Sequence, residues 1–189
     1  DLETFRQLGS HLQGHPDRLK TLGVEMTSGV LGHGLGVGVG LALAARLDKS
    51  DHRVYVLLGD GELDAGVVWE AAMVASKYKL DNLTAIIDRN RVQLDGPTEK
   101  VMPLEPLRDK WVSFGWHVIE VDGHDVLKLM AALDEATRVH SFPTVITAHT
   151  VKGKGVSFME NDSRWHGKPP DSEQYEMALK ELKGGLSHI

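Results

Sequence analysis

A chain of 189 residues with 41% hydrophobic and 25% charged residues is long enough for one α/β domain with a buried core, and too apolar to be disordered over most of its length. Its net charge of −6, with lysines and arginines spread along the chain, leaves no basic stripe for nucleic acid. The absence of cysteine excludes disulfides, thiolate metal sites and a cysteine nucleophile, with the cytosol as the default compartment.

The chain opens at Asp1-Leu2-Glu3 without an initiator methionine, which suggests that something lies upstream, and it shows no signal-peptide pattern. Residues 1–27 carry little periodicity and contain the Gly14-His15-Pro16 turn signal, so they read as loop with a short helix near Leu2 to Leu8. A glycine-rich turn at 27–34 then runs into a helix of small and apolar residues ending near Leu47. Its stretch from Leu35 to Ala45 is about half the roughly 20 residues of a membrane span and reads as a buried helix instead. Glycines 34, 36, 38 and 40 would let other elements approach it closely.

Val54 to Leu58 is a continuous apolar run that predicts a strand buried on both faces, stopping at Gly59-Asp60-Gly61. The helix predicted from Val67 to Lys79 is apolar all round, as either a core or a subunit interface would require. A second strand, Leu83 to Ile87, ends at Asp88-Arg89-Asn90 and makes a parallel strand-helix-strand unit. Beyond a loop from Gly96 to Pro106, the rhythm repeats. A helix over Leu107 to Phe114 precedes a strand over Trp116 to Val121, and a helix over Val126 to Val139 precedes a strand over Thr144 to Thr147. The fold class is therefore a doubly wound, mostly parallel α/β sheet with helices on both faces, and residues 156–189 form a polar C-terminal extension with a helix near Ser172 to Leu182.

Ligands of such a sheet sit beyond the carboxyl ends of the strands. Asp60 and Asn90 fall there, 30 positions apart but on strands that flank one crossover. A carboxylate, an amide oxygen and a nearby main-chain carbonyl are hard ligands that suit Mg²⁺ or Ca²⁺, above all when phosphate oxygens complete the shell. Glycines 59 and 61 would admit a diphosphate against the amide groups of Gly61 and Glu62. A lone Gly-Asp-Gly is more often just a turn; here an apolar strand precedes it, and a helix, a second strand and Asn90 follow.

That order, with Gly14-His15-Pro16, Gly29-Val30-Leu31-Gly32, Trp69-Glu70-Ala71-Ala72, Leu94-Asp95-Gly96, Val121-Asp122-Gly123-His124-Asp125, Lys152-Gly153-Lys154-Gly155 and Trp165-His166-Gly167, resembles the amino-terminal half of transketolases over essentially the whole length, and most of all the separately encoded amino-terminal subunits. The resemblance implies a thiamine-diphosphate-binding fold. It implies that Asp60 and Asn90, with the Val92 carbonyl, hold the metal, and that Gly61 and Glu62 serve the diphosphate. Gly29 would contact the aminopyrimidine through its backbone, Leu31 would help prop the cofactor into its bent shape, His15 would hydrogen-bond the donor sugar, and His166 would sit by the diphosphate and the reacting hydroxyl. Glu70 would join a carboxylate network at the subunit interface. The implied activity is transfer of a two-carbon ketol unit between sugar phosphates, jointly with a carboxyl-terminal partner subunit, two copies of each, and without nucleic acid or membrane. His149 is a further candidate neighbour of the cofactor, whereas His117 and His124 are expected in structural roles.

The chain departs from the family pattern at Ala65, where a glutamate is usual, and at Val30, where proline is common. The family's upstream segment, with its own histidine near the diphosphate, lies outside this sequence. Two other readings stay open: a related synthase such as deoxyxylulose-phosphate synthase, against which Trp165-His166-Gly167 speaks, and a catalytically silent binding module.

Overall fold

The computed structural model describes residues 1–185. Its opening segment holds a single 3-10 turn, Leu2–Thr4, shorter than the helix expected there, because Arg6 and Gly9 adopt positive φ angles of 61° and 85° that end helical propagation. Helix α1 (His33–Leu47) follows. Strand β1 (Val54–Gly59), a 3-10 turn at Gly61–Asp64, helix α2 (Gly66–Lys77) and strand β2 (Leu83–Arg89) make the first crossover unit. A small hairpin of β3 (Val92–Gln93) and β4 (Gly96–Pro97) follows, and β4 with a short helix α3 (Thr98–Val101) lies in the stretch from Gly96 to Pro106 expected as loop. Then come α4 (Leu107–Ser113), β5 (His117–Asp122), α5 (Val126–Arg138), β6 (Thr144–His149) and, after a 3-10 turn at Ser163–Trp165, α6 (Ser172–Gly185).

The long strands form one sheet in the order β1-β2-β6-β5, parallel at every pairing. From β1 through β2 to β5 the chain moves in one direction across the sheet, and from β5 to β6 it steps back. Right-handed crossovers therefore put α2 and α4 on one face and α5 on the other. The packing agrees. Leu35 and Val39 of α1, Val68 and Ala72 of α2, and Leu107 and Trp111 of α4 share one buried cluster with Leu58, Ala85, Ile87 and Val145 of the sheet. The buried residues of α5, Ala132 and Ala136, lie outside that cluster.

Three burial expectations change. β1 is an edge strand buried on one face only: Val56 and Leu58 point to the main cluster, while Tyr55 and Leu57 are 47% and 71% exposed, because α5 covers the far side of the sheet rather than β1. Helix α2 buries a single stripe, Val68, Ala71, Ala72 and Ala75, and leaves Met73 and Val74 exposed; the stripe is core and the rest is not. Helix α1 likewise buries Leu35, Val39 and Ala42 but exposes Val37 and Leu41. Among the described residues no helix is long and apolar enough to cross a membrane.

The glycines of α1 are not equivalent. A Cβ on Gly38 would lie 2.5 Å from Val56 Cγ2 and 3.3 Å from Leu83 Cδ1, whereas one on Gly36 would meet nothing within 4 Å. Gly38→Ala is expected to destabilise the chain by about 1–3 kcal/mol through overpacking, and Gly36→Ala to stabilise it by about 0.5–1 kcal/mol through helix propensity. Urea denaturation of both variants checks the sign of each. At the other end, the segment after Gly155 turns back on itself: the Ser157 amide and hydroxyl both donate to the Glu181 carboxylate of α6, and Ala178 is buried.

Candidate functional site

The register Gly59↔Asp88 places Asp60 and Asn90 just beyond the carboxyl ends of adjacent parallel strands. Asp60 caps the 3-10 turn: its Oδ1 accepts the Gly61 N–H at 2.8 Å. Its Oδ2 accepts the Arg91 N–H at 2.6 Å, so the carboxylate reaches across to the residue after Asn90. Asn90 makes a turn of its own, with Oδ1 accepting the Val92 N–H at 2.9 Å, a local bond that asparagine makes readily. Arg91 between them has a φ of 65°, and this left-handed step aims its amide back at Asp60. Hairpin β3–β4 continues from there and carries Gln93 against Gly61, where any Cβ would lie 2.8 Å from Gln93 Cβ. Glycine at 61 is thus a packing requirement.

Asp60 is 1% exposed. Burial pushes its carboxyl above the ordinary carboxylate range, against the Arg91 amide, the Arg89 guanidinium and the Gly61 amide, which pull it down. A cation at this carboxylate competes with a proton, and the group is deprotonated only above its raised value. Cation affinity is therefore expected to fall on acidification, beginning at a higher pH than an exposed aspartate would give, as Mn²⁺ titrations at a series of pH values would show.

The second half of the site is a cavity of about 430 Å³ at the start of α1, lined by His15, Thr27, Ser28, Gly29, Val30 and His33 among others. Gly29, with a φ of 151°, sits against the His15 ring, and a Cβ there would lie 2.8 Å from its Cγ. Glu62 joins the two halves. Its Oε1 accepts the Gly32 N–H at 2.7 Å and its Oε2 accepts the Gly59 N–H at 3.1 Å, so one carboxylate ties the glycine-rich turn to the Gly-Asp-Gly turn. Glu62→Gln keeps a single acceptor and is expected to cost about 1–2 kcal/mol, and Glu62→Ala roughly twice that; thermal and urea denaturation are the readouts.

Residues 1–184 match the family model of the transketolase, thiamine diphosphate binding domain. The chain belongs to the transketolase family. It is 48% identical over 187 residues to one of the subunits of the apulose-4-phosphate transketolase of Phocaeicola vulgatus, covering 99% of this chain and 66% of that one. It is 42% identical over 182 residues to the 6-deoxy-6-sulfo-D-fructose transketolase subunit SqwG of Clostridium sp. (strain MSTE9), covering 96% and 66%. Transketolase from Campylobacter jejuni superimposes with a TM-score of 0.90 at 34% identity, over 96% of this chain and 29% of that one. The chain thus spans about two thirds of the length of these curated relatives.

Within this transketolase domain the expected site residues divide. Asp60, Asn90, Gly61 and Val92 are brought together at the strand ends, and His15 and Gly29 at the cavity. The Gly61 N–H, expected to face a diphosphate, is instead engaged by Asp60, because the side chain caps the turn that this amide opens. Glu62 enters through its carboxylate, which holds the turns together. Leu31 is 64% exposed beside the cavity residue Val30. His166 and Glu70 are exposed, and neither lines the cavity or bonds to Asp60. His149 turns to the β5 side and meets Glu120 Oε1 at 3.2 Å. His124 accepts the Val151 N–H and His117 pairs with Glu135, both structural contacts. Sequence reasoning gives Arg89 no role; a basic residue that follows Asp88 at the end of an otherwise apolar strand is the signal that points to it.

Among the described residues, no group of three or more His, Cys, Asp or Glu side chains is placed to hold an ion. The oxygens of Asp60, Asn90 and the Val92 carbonyl fit a hard divalent cation only if further oxygens come from a bound ligand, which is how Mg²⁺ is commonly held beside phosphates.

Proposed function

We propose that the chain is the cofactor-binding, amino-terminal subunit of a split transketolase that moves a two-carbon ketol unit from a ketose phosphate to an aldose phosphate. The observation that carries this reading is the meeting of the Asp60 and Asn90 segments at adjacent strand ends, where the Asp60 carboxylate accepts the amide of the residue after Asn90, in a chain whose family binds thiamine diphosphate.

Held by Asp60, Asn90 and the Val92 carbonyl through its metal, thiamine diphosphate would supply the nucleophilic carbon and the electron sink that ketol transfer needs. The chain's own residues hold and orient. Asp60, Asn90 and the Val92 carbonyl take Mg²⁺, or Ca²⁺ in its place, and Glu62 fixes the distance between this metal end and the Gly29 and Leu31 end that receives the aminopyrimidine. His15, on the wall of the cavity, is placed to hydrogen-bond the donor sugar. His166 and Glu70, exposed in the isolated chain, act in the assembled enzyme, His166 at the diphosphate and Glu70 at the subunit interface. The assembly is two copies of this chain with two of a carboxyl-terminal subunit in the cytoplasm. The names of the two relatives carry a phosphate in one case and a sulfo group in the other, so the donors to try are ketoses with a terminal anion.

Co-expression with the candidate carboxyl-terminal subunit, followed by ketol-transfer assays on phosphorylated and sulfonated ketoses with thiamine diphosphate and Mg²⁺, tests the reading. Transfer by the pair and none by either chain alone is expected. Transfer by this chain alone would overturn the partner requirement, and failure of the pair to bind cofactor would overturn the assignment itself.

A further inference from the structure

The cavity at the start of α1 has a second imidazole on its wall. His33 lines it together with His15, Thr27 and Ser28, and Val30 and Val37 give it an apolar side. Both histidines are exposed, and each is fixed against one end of the same turn. At the Gly29 end, a Cβ on the glycine would lie 2.8 Å from His15 Cγ, so the His15 ring rests on that backbone. At the Leu31 end, His33 Nδ1 lies 3.3 Å from the Leu31 carbonyl oxygen.

That contact settles the polarity of the His33 ring. A carbonyl oxygen only accepts, so Nδ1 carries the proton, and in the neutral imidazole Nε2 keeps its lone pair and accepts. The backbone under the ring is equally constrained. The His33 N–H donates to the Val30 carbonyl at 3.3 Å, and Gly32, at a φ of 80°, turns where a Cβ would lie 2.7 Å from Val67 Cγ1 and 2.9 Å from Ala65 Cβ. His33 is therefore a preset hydrogen-bond acceptor rather than a floppy surface side chain.

We infer that His33 is a second contact for the donor sugar, with Nε2 accepting a hydrogen bond from a hydroxyl beyond the two carbons that are transferred, and that it thereby sets which ketoses serve as donors. The inference rests on the proposed ketol transfer and on the place given to His15. A donor attached to a cofactor seated on the Gly29–Leu31 turn lies in this cavity, and a ketose chain beyond its first two carbons is a row of O–H donors. One imidazole stands at each end of the turn, so a chain held by His15 meets His33 further along. An acceptor built for a hydroxyl disfavours a ligand that lacks one, because the lone pair is then left unpaired.

The test is steady-state ketol transfer by the chain in complex with its partner subunit, from two donors. One is a ketose phosphate; the other is hydroxypyruvate, which delivers the same two-carbon unit with release of CO₂ and has no hydroxyl beyond it. His33→Phe keeps a planar ring and removes the acceptor, and His33→Gln restores an acceptor through its amide oxygen. The ratio of kcat/KM for the ketose to kcat/KM for hydroxypyruvate is expected to fall about tenfold in His33→Phe, through the KM of the ketose, and to return to within roughly threefold of the parent in His33→Gln, the size of one hydrogen bond. Calorimetry with thiamine diphosphate on the same preparations separates a role toward the cofactor: lost cofactor affinity with an unchanged donor ratio overturns the inference, as does an unchanged ratio by itself. Should hydroxypyruvate not be turned over, a raised ketose KM with cofactor affinity retained supports the inference, and joint loss of both overturns it. A parent complex that transfers from neither donor removes the proposed function, and this inference with it.

Discussion

Asp60→Ala is expected to unfold or nearly unfold the carboxyl-terminal edge of the sheet, at a cost of about 3–5 kcal/mol, and to abolish cation-dependent cofactor binding. The cost comes from Arg89. Removing Asp60 takes away the acceptor that faces it across the strand ends, and Nη1 keeps only Thr98 in a buried site; breaking one side of a buried pair leaves its partner's charge uncompensated. The Arg91 amide loses its acceptor as well. Glu99 and Glu105 remain on Nη2, and both are held below the ordinary carboxylate range, so they stay charged: Glu99 in spite of burial, through Arg89 and the Leu104 and Glu105 amides, and Glu105 through the Leu107 amide and Arg89. They limit the damage to the lower part of that range. Asp60→Asn separates the two consequences, since it keeps the shape and one acceptor oxygen but removes the negative charge that the site offers a cation. Its stability loss is expected to be smaller than that of Asp60→Ala, because one acceptor oxygen and the side-chain volume remain, while thiamine diphosphate binding in the presence of Mg²⁺ weakens by at least roughly 100-fold. Urea denaturation and calorimetry on the same preparations measure both. Unaltered Mg²⁺-dependent cofactor binding by Asp60→Asn would sink the metal assignment.

The contrast between Asp60 and Arg89 shows how far the sequence reaches into this site. Asp60 and Asn90 are legible because the reading needs nothing but strand ends: period and composition place two parallel strands, and residues just past their carboxyl ends must share a crevice. The crossover units are equally legible, since apolar runs at Val54, Leu83 and Thr144 alternate with helical patterns. What the sequence does not carry is which side chains close upon one another. That Glu62 reaches Gly32 and Gly59 depends on α1 beginning beside the 3-10 turn. Arg89 meets Glu99 and Glu105 because hairpin β3–β4 and α3 fold the chain back over the end of β2, and those short elements have too few residues for any period to show. The exposure of Tyr55 and Leu57 has the same origin: an apolar run fixes a strand, but its place at the edge of the sheet follows from long-range order that no local pattern contains.

Beneath the site, three tryptophans form a wedge between α2, α4 and the start of β5, and it is there that a substitution remote from any ligand is expected to do the most harm. Trp111 is fully buried, with its ring centroid 5.1 Å from that of Trp69 and 4.9 Å from that of Trp116. Trp69 in turn donates its indole N–H to the Leu63 carbonyl at 2.9 Å, and Leu63 belongs to the 3-10 turn that Asp60 caps. Trp116 donates to the Ala72 carbonyl of α2 at 3.0 Å. The Trp111 Nε1 has no acceptor among the described residues, so its contribution is volume and ring contact rather than a hydrogen bond. Trp111→Ala is therefore expected to cost about 3–5 kcal/mol, as a large buried cavity does, and to loosen the cofactor indirectly as Trp69 shifts and the 3-10 turn loses its support. Trp111→Phe removes an unpaired donor along with part of the ring and is expected to cost less than about 1.5 kcal/mol. Equal destabilisation by the two variants in urea would mean that the indole N–H is satisfied after all and that packing is not what Trp111 provides.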